Sequence, residues 1–527
     1  MKADLTGVSA LDRNLAQRNT VGDMLARAAR VFPNRIAVHF EDRAQTYREL
    51  ESASNQIGRQ LLAIGAQHQE PVGFLLSNSD AFLETFFGCA KAGLVAMPVN
   101  LAQSAQDVAY VLADAGVQTI ITDEAFVPLL REVLPHLPDI CRIVIRGDVP
   151  DELGDDSITL HSYDQLRAGD DRPIESVIIE DSAIVHCLYS SGTTSRPKGV
   201  LTRHSSLVIA CLSSALVAAH QYGREPSVFP IVLPLFHTTA LDTLALPTLV
   251  VGGTVVLFNT FDPAALIAAI DRYQATHMML LPSMYEMLMN HPDAAGKTFG
   301  SVRLCFYAMA PMPDARRMRL QEVFPNADTL LGSGMTECVP PTCFQWPAHD
   351  LDKSGSWGVA VPSCDVQIAD PEGNLLGPNE TGEIVYRGPH VMQGYWNNAA
   401  ANTEVFRGGW MRTGDIGHID EEAVIWFTDR AKDIVKSGGE NVSSVEVERI
   451  LLAHPAVAEA AVIGRPDDRW GEAVTAVIVK GAEVTEEELI THSKKYLSGF
   501  KVPKYVEFVE VLPKTATGKI QKHHLRT

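Results

Sequence analysis

Between about residues 21 and 329, the apolar residues alternate between helical spacing and short strand-like runs. That alternation limits the fold more than any other feature of the chain. Residues 47–62 and 81–92 carry apolar side chains at helical spacing, with a short strand at 71–76 between them. Residues 105–115 read as a helix and 119–122 as a strand ending in Asp123. The pattern resumes over 201–329, with strand candidates at 254–258, 278–281 and 304–308. Helices alternating with short strands pack as α/β layers on parallel sheets. A chain of 527 residues exceeds what one core organises, so two or more domains are expected.

The texture changes after residue 356. Asp370-Pro371-Glu372-Gly373-Asn374 is a strong turn and 382–386 a strand, which together predict a small β-barrel. The last hundred residues read as a separate α+β unit, with helices at 445–452 and 486–497 and strands at 457–464 and 473–479. The expected division is a domain over 1–430 and a second over 431–527, joined at the charged run Asp429-Arg430-Ala431-Lys432-Asp433. By itself such a run reads as a solvated linker.

Composition narrows the partners. A net charge of -20 argues against nucleic acid, which calls for a basic stripe. Residues 1–17 mix charges throughout and lack the apolar centre of a signal peptide. The most apolar stretch, 244–258, is broken by Pro247, Gly252 and Gly253 and falls short of the roughly 20 residues that span a bilayer. It reads as buried helix or strand. The eight cysteines have no CxxC spacing, and the terminal Leu525-Arg526-Thr527 matches no organelle address. A cytoplasmic protein without integral membrane association is expected, and a homodimer is left open.

Chemistry concentrates in one loop. The apolar run 183–188 reads as a buried strand and feeds Tyr189-Ser190-Ser191-Gly192-Thr193-Thr194-Ser195-Arg196-Pro197-Lys198-Gly199. Hydroxyls, backbone N–H groups and an ammonium suit a polyphosphate, although a Ser/Thr/Gly loop alone is more often a solvated turn. It is not a Walker loop, because Lys198 precedes Gly199. Four further segments accompany it. Gly334-Met335-Thr336-Glu337 lies just after a predicted strand, and Trp410-Met411-Arg412-Thr413-Gly414-Asp415 lies near the end of the large region. Lys436-Ser437-Gly438-Gly439-Glu440 follows the charged run, and Pro513-Lys514-Thr515-Ala516-Thr517-Gly518-Lys519 stands near the terminus. Singly these read as a helix cap, a strand turn, a loop and a basic tail.

In this order and spacing the five segments resemble the adenylate-forming superfamily of acyl- and aryl-CoA synthetases, peptide-synthetase adenylation domains and firefly-type luciferases. The resemblance runs from about residue 20 to the end. It implies attack of a small carboxylic acid on the α-phosphate of ATP, followed by transfer of the acyl group to CoA, with Mg²⁺ as cofactor. It further implies that Ser190, Ser191, Gly192, Thr193, Thr194 and Lys198 grip the leaving phosphates, that Thr336 contacts the α-phosphate and that Glu337 holds Mg²⁺. Asp415 and Arg430 would meet the ribose. Lys519 would bridge the attacking carboxylate and the α-phosphate. The small domain would be mobile, pivoting at Lys432 to exchange Lys519 for Lys436, Ser437, Gly438 and Gly439 beside the pantetheine arm. Trp470, Phe500, Lys501 and Lys504 resemble contacts to the nucleotide end of CoA, although Trp470 reads equally as domain core.

Two positions depart from the family pattern. Ser333 stands where an adenine-stacking Tyr is usual, and Met309 where Gly or Ala is usual; either Met309 takes the place of the missing ring or Ser333 marks weaker or altered nucleotide use. The acyl pocket maps to His237, Thr238, Thr239, Ala308, Gly332, Gly334, Val339 and Pro340, with His237 as a gate. None of these bears a carboxylate or fixed cation, so a neutral tail is expected, small aromatic or short-to-medium aliphatic. Phe236-His237-Thr238 lacks the Asp of amino-acid-activating relatives. Delivery to a carrier protein, luciferase-like oxidation and a catalytically silent ligand binder are the competing readings. The presence of Lys519, Glu337 and Asp415 speaks against silence.

Overall fold

The computed structural model describes residues 3–154, 157–190, 196–308, 312–515 and 519–526, with the side chains of residues 350 and 351 set aside. The large domain is built on an eight-stranded sheet in the order 394–395, 198–203, 184–190, 95–98, 71–75, 119–123, 142–146, 159–162. The six strands from Ile184–Ser190 to Thr159–Ser162 run parallel, as the α/β alternation predicts. At the other edge the expectation of parallel strands fails. Lys198–Arg203 returns antiparallel to Ile184–Ser190, and Gly394–Tyr395 pairs antiparallel to it. The returning strand follows a loop too short for a crossover helix, so only a hairpin can form.

Local signals explain the layers. Thr46 and Glu49 cap the helix Tyr47–Ala63 reciprocally. Ser79 caps Asp80–Ala92, which ends at Gly93 in the left-handed region. A second sheet joins His277–Met279, Leu304–Tyr307 and Asp328–Met335 in parallel, then adds Cys338–Phe344 and Val359–Ala360 antiparallel. The strand expected at 278–281 is shorter at its end because Pro282 opens the helix Pro282–Asn290. The apolar stretch 244–258 resolves into both of its alternatives, a buried helical segment through Val250 and the strand Thr254–Leu257.

The expected barrel is a five-stranded antiparallel half-barrel, with 382–387 between 365–369 and the long strand Trp410–Ile419. One buried core runs from Val21 through the eight-stranded sheet, the second sheet and a four-stranded sheet of 228–231, 254–257, 36–40 and 43–46 to Ile384, Met411 and Ile425. The small C-terminal domain has its own core of Val435, Val447, Leu451, Val462, Val474, Ile478 and Leu489. Its helix Glu486–Lys494 stops three residues earlier than its apolar spacing suggests, although Leu497 is still buried. No helix is long and apolar enough to cross a membrane among the described residues.

Candidate active site

Three hairpins and the C-terminal strap carry the predicted phosphate, sugar and carboxylate residues. The strand ending at Ser190 and the strand beginning at Lys198 are in register as a pair, so the loop between them stands at the carboxyl end of a parallel strand, where α/β folds place ligands. Ser191, Gly192, Thr193, Thr194 and Ser195 lie outside the described residues, as does Met309. Lys198 is anchored beside them, with its Nζ 4.9 Å from the ring centroid of Tyr395. Tyr395 donates its hydroxyl to Glu337 Oε1 at 2.9 Å, which joins the strand beginning at Lys198 to the connection at Thr336 and Glu337. Burial and the Glu337 carboxylate raise the phenol pKa of Tyr395 well above its ordinary value.

Gly334 and Met335 prove to be the end of the strand Asp328–Met335, not residues beyond it, and Met335 pairs with Cys338. Thr336 and Glu337 form the tight connection, so no helix cap exists here. Ser333 faces Cys343 across this hairpin. A Cβ on Gly334 would sit 2.6 Å from the Pro340 Cβ, and one on Gly332 would sit 3.1 Å from the Phe344 ring, so both positions admit no side chain without displacement. Val339 is buried and Thr243 Oγ1 donates to the Pro340 carbonyl at 3.1 Å. That bond ties the pocket hairpin to the helical segment Thr239–Ala245. His237, Thr238 and Thr239 lead into that segment, while Ala308 follows Leu304–Tyr307. His237 Nδ1 accepts the Thr239 N–H at 3.2 Å, which leaves the ring proton on Nε2. Burial brings its pKa down to about 4, with Lys519 adding to the fall and Asp242 opposing it. The imidazole is neutral near pH 7.

Asp415 is turned inward by a bulge. Residues 413–415 lie opposite the single residue Ile384, Gly414 takes a φ of 73°, and Glu383 accepts its N–H at 2.9 Å. Asp415 is 5% exposed. Its Oδ1 lies 3.0 Å from Arg430 Nε, an ion pair across the ladder, yet it accepts no hydrogen bond among the described residues. Burial raises its carboxyl pKa, with Arg430 and Lys519 pulling the other way. Desolvation by the surrounding protein and the nearby Arg430 and Lys432 lower the ammonium pKa of Lys519 to about 8, against the pull of Asp415 and Asp433. Glu337, Asp415, Arg430, Lys519 and His237 are thus linked in one electrostatic neighbourhood.

The second predicted set lies apart. Lys436 to Glu440 is a hairpin rather than a loop, with strands Val435–Ser437 and Glu440–Val442 and a turn at Gly438 and Gly439, both at positive φ. Its described contacts run to its own sheet. Gly438 N–H donates to the Trp470 carbonyl at 2.7 Å, Lys436 N–H donates to Glu472 Oε2, and buried Ser437 pairs with Gly471. Trp470 is half-buried and not core, with Arg469 and Lys504 4.8 and 5.0 Å from its ring centroid. Phe500 packs against the small domain's core, and Lys501 is taken up by Glu446 at 2.7 Å. Lys504 also donates to the carbonyls of Gly499 and Val502.

Sequence reasoning missed Tyr395, whose Gly-Tyr setting in a turn-rich stretch carries no periodicity. It also misread Asp429, which is buried and hydrogen-bonded, so the charged run is not simply a solvated linker. Among the described residues no group of three or more metal-ligating side chains forms. A lone hard carboxylate such as Glu337 fits Mg²⁺, which takes one or two carboxylates and completes its shell with phosphate oxygens and water.

The family profile described as AMP-binding enzyme matches residues 25–396, and that of the AMP-binding enzyme C-terminal domain matches 446–519. A feruloyl-CoA synthase of Amycolatopsis is 35% identical over 509 residues, spanning 96% of this chain and 98% of that one. The anthranilate CoA ligase solved with anthranoyl-AMP superposes with a TM-score of 0.87 at 29% identity, covering 97% of this chain and 98% of that one. The O-succinylbenzoate CoA synthetase of Bacillus subtilis, solved with ATP and magnesium ion, gives a TM-score of 0.83 at 29% identity, covering 97% and 99%.

Proposed function

The chain belongs to the AMP-binding enzyme family, and from that premise we propose that it is an ATP-dependent carboxylate–CoA ligase acting on a small aromatic acid. The observation that carries this reading is that Tyr395 joins Lys198 to Glu337 while Arg430, Lys519 and Glu337 all act on the buried Asp415. An anionic carboxylate must reach an anionic triphosphate there, and cations with preorganised donors lower that barrier. A substrate carboxylate oxygen bonds to the α-phosphorus while the bond to the β-phosphate oxygen breaks, and pyrophosphate leaves with the electron pair. Lys519 holds the two reacting anions together. Ser190, Lys198 and the loop residues 191–194 receive the leaving group, and Thr336 meets the α-phosphate. Glu337 would hold Mg²⁺, whose charge offsets that of the phosphates. Asp415 accepts from the ribose hydroxyls through its unoccupied Oδ1, and Arg430 orients that carboxylate.

In the second step the CoA thiolate attacks the acyl carbon, and the bond to the AMP oxygen breaks. Lys436 to Gly439 and the Trp470 and Lys504 surface serve this step after the small domain, 431–527, turns at Lys432. The neutral His237 can swing between acyl pocket and thiol path without meeting Lys519 as a second cation. Relatives named for feruloyl, anthranilate and O-succinylbenzoate substrates favour an aromatic acid here. Eight unpaired cysteines suit a cytoplasmic location.

Carboxylate-dependent pyrophosphate release, measured over aryl and aliphatic acids of graded length with and without CoA, tests the reading. Small aryl acids should release pyrophosphate fastest, and CoA should be needed for repeated turnover. Absence of release with every acid would sink it. Lys432→Pro should slow thioester formation from supplied acyl-adenylate at least tenfold more than it slows adenylation. Equal loss in both steps would mean misfolding and no pivot at Lys432.

A further inference from the structure

The strap that carries Lys519 is tied to the large domain by a buried hydrogen-bonded chain outside the reaction site. Asp429 stands on the strand Ile425–Arg430 of the half-barrel, three residues before Lys432, and is 1% exposed. Its Oδ2 accepts the backbone N–H of Ser444 at 2.6 Å and the Ser444 hydroxyl at 2.7 Å. Ser444 is the first residue of the helix Ser444–Leu452, on the far side of Lys432. A carboxylate at that point satisfies an otherwise unpaired N–H and meets the positive end of the helix. The same hydroxyl accepts from Lys522 Nζ at 2.6 Å, and Lys522 pairs with Glu448 Oε1 at 2.7 Å. Ser443 adds a bond from its hydroxyl to the Thr428 carbonyl at 2.7 Å. Lys522 lies three residues beyond Lys519 in the chain, at the start of the turn Lys522–Leu525.

We propose that Asp429, Ser444 and Lys522 form a latch that positions Lys519 and holds the small domain in its adenylating arrangement. They thereby set how the protein divides its time between its two half-reactions. This rests on the ligase reading and on the pivot at Lys432. Asp429 and Ser444 lie on opposite sides of that pivot, so a rotation large enough to withdraw Lys519 parts them. A contact present in only one of two arrangements shifts the equilibrium by its full strength. The chain of bonds is also directional. The Ser444 hydroxyl spends its one proton on Asp429 and offers a lone pair to Lys522, so the charge on the large domain fixes the ammonium on the strap. Asp429 and Glu448 bracket the single cation, and a buried pair that loses one partner leaves the other uncompensated.

Ser444→Pro is the discriminating variant. Proline suits the first helical position, and Ser443 before it is already extended at φ -67°, ψ 119°, so the helix survives while both donors to Asp429 are lost. Carboxylate-dependent pyrophosphate exchange should fall about tenfold in kcat with the KM for acid unchanged. Thioester formation from supplied acyl-adenylate should be unchanged or faster. Ser444→Ala, which keeps the N–H, should lie between. Small-angle scattering of the full chain without substrate should show a broader range of domain arrangements in Ser444→Pro than in the natural protein. Parallel loss of both half-reactions, or identical scattering of the two proteins, would overturn the latch. If the natural protein released no pyrophosphate with any acid, the ligase reading would fail and the scattering comparison alone would decide the latch.

Discussion

Replacing Lys519 by alanine should abolish most adenylation while sparing the thioester step. In the proposed mechanism the side chain is the cation that reaches both reacting anions, and deleting such a transition-state donor costs 10²–10³ in rate, roughly 3–4 kcal/mol. Its setting makes the loss specific. Arg430 is engaged with Asp415, and Lys198 stands over Tyr395, so neither is placed to substitute. Pyrophosphate exchange measures the first step, and thioester formation from synthetic acyl-adenylate and CoA measures the second. Survival of both would remove Lys519 from the mechanism. The same residue predicts a pH profile. An ammonium lowered to about 8 by desolvation, Arg430 and Lys432 is charged at pH 7 and loses its proton as pH rises through 8. The kcat/KM for ATP, which reports the free protein, should therefore decline above about pH 8. The falling limb of kcat should lie higher, because bound triphosphate favours the charged form. Lys519→Arg should move the limb of kcat/KM beyond the measurable range, even where the rate is low.

Much of this was legible from residue pattern, and the exceptions have definite causes. Periodicity located Tyr47–Ala63 to within a residue or two because it buries one face, and the apolar-rich runs of Asp80–Ala92 and Thr119–Asp123 marked elements buried all round. It could not anticipate that Lys198–Arg203 turns back antiparallel, since a strand's direction leaves no mark in its own composition. The hairpin at 435–442 was hidden because three-residue strands are too short for alternation to register. In the candidate site, Glu337, Asp415, Arg430 and Lys519 were named from their motifs, and their mutual electrostatic influence appears only once the half-barrel and strap are folded together. Asp429 was misjudged for a general reason. A run of charges looks solvated until one carboxylate finds a helix N-terminus, and Ser444, fifteen residues on, supplies it.

Acid should weaken the fold sharply between pH 7.5 and 5.5, and buried histidines away from the site are the cause. Desolvation brings His204 down to about 3 and His277 to about 4, and holds His220 well below its ordinary value. His220 stacks on His277 with ring centroids 4.4 Å apart, so each also resists the other's charge, and Arg303 adds to both. The folded-state values lie below the ordinary 6.5, so the unfolded chain binds more protons as pH falls. The stability these groups contribute is complete above about pH 6.5 and is lost progressively below it. At pH 5.5 the neutral His204 and His277 each cost about 1.4 kcal/mol relative to the unfolded chain, together about 3 kcal/mol, and His220 adds in the same direction. Glu84 and Glu448, held above their usual range chiefly by burial, oppose this by taking up protons in the folded state. A variant isolates the histidine share. Neither ring nitrogen of His220 has a partner among the described residues, so His220→Phe keeps the stack and leaves no donor or acceptor unpaired. Thermal midpoints of the natural protein should fall by roughly 4–10 °C over this pH interval, and those of His220→Phe by measurably less. Equal falls in the two proteins would show that His220 is already charged in the folded state or does not report on folding.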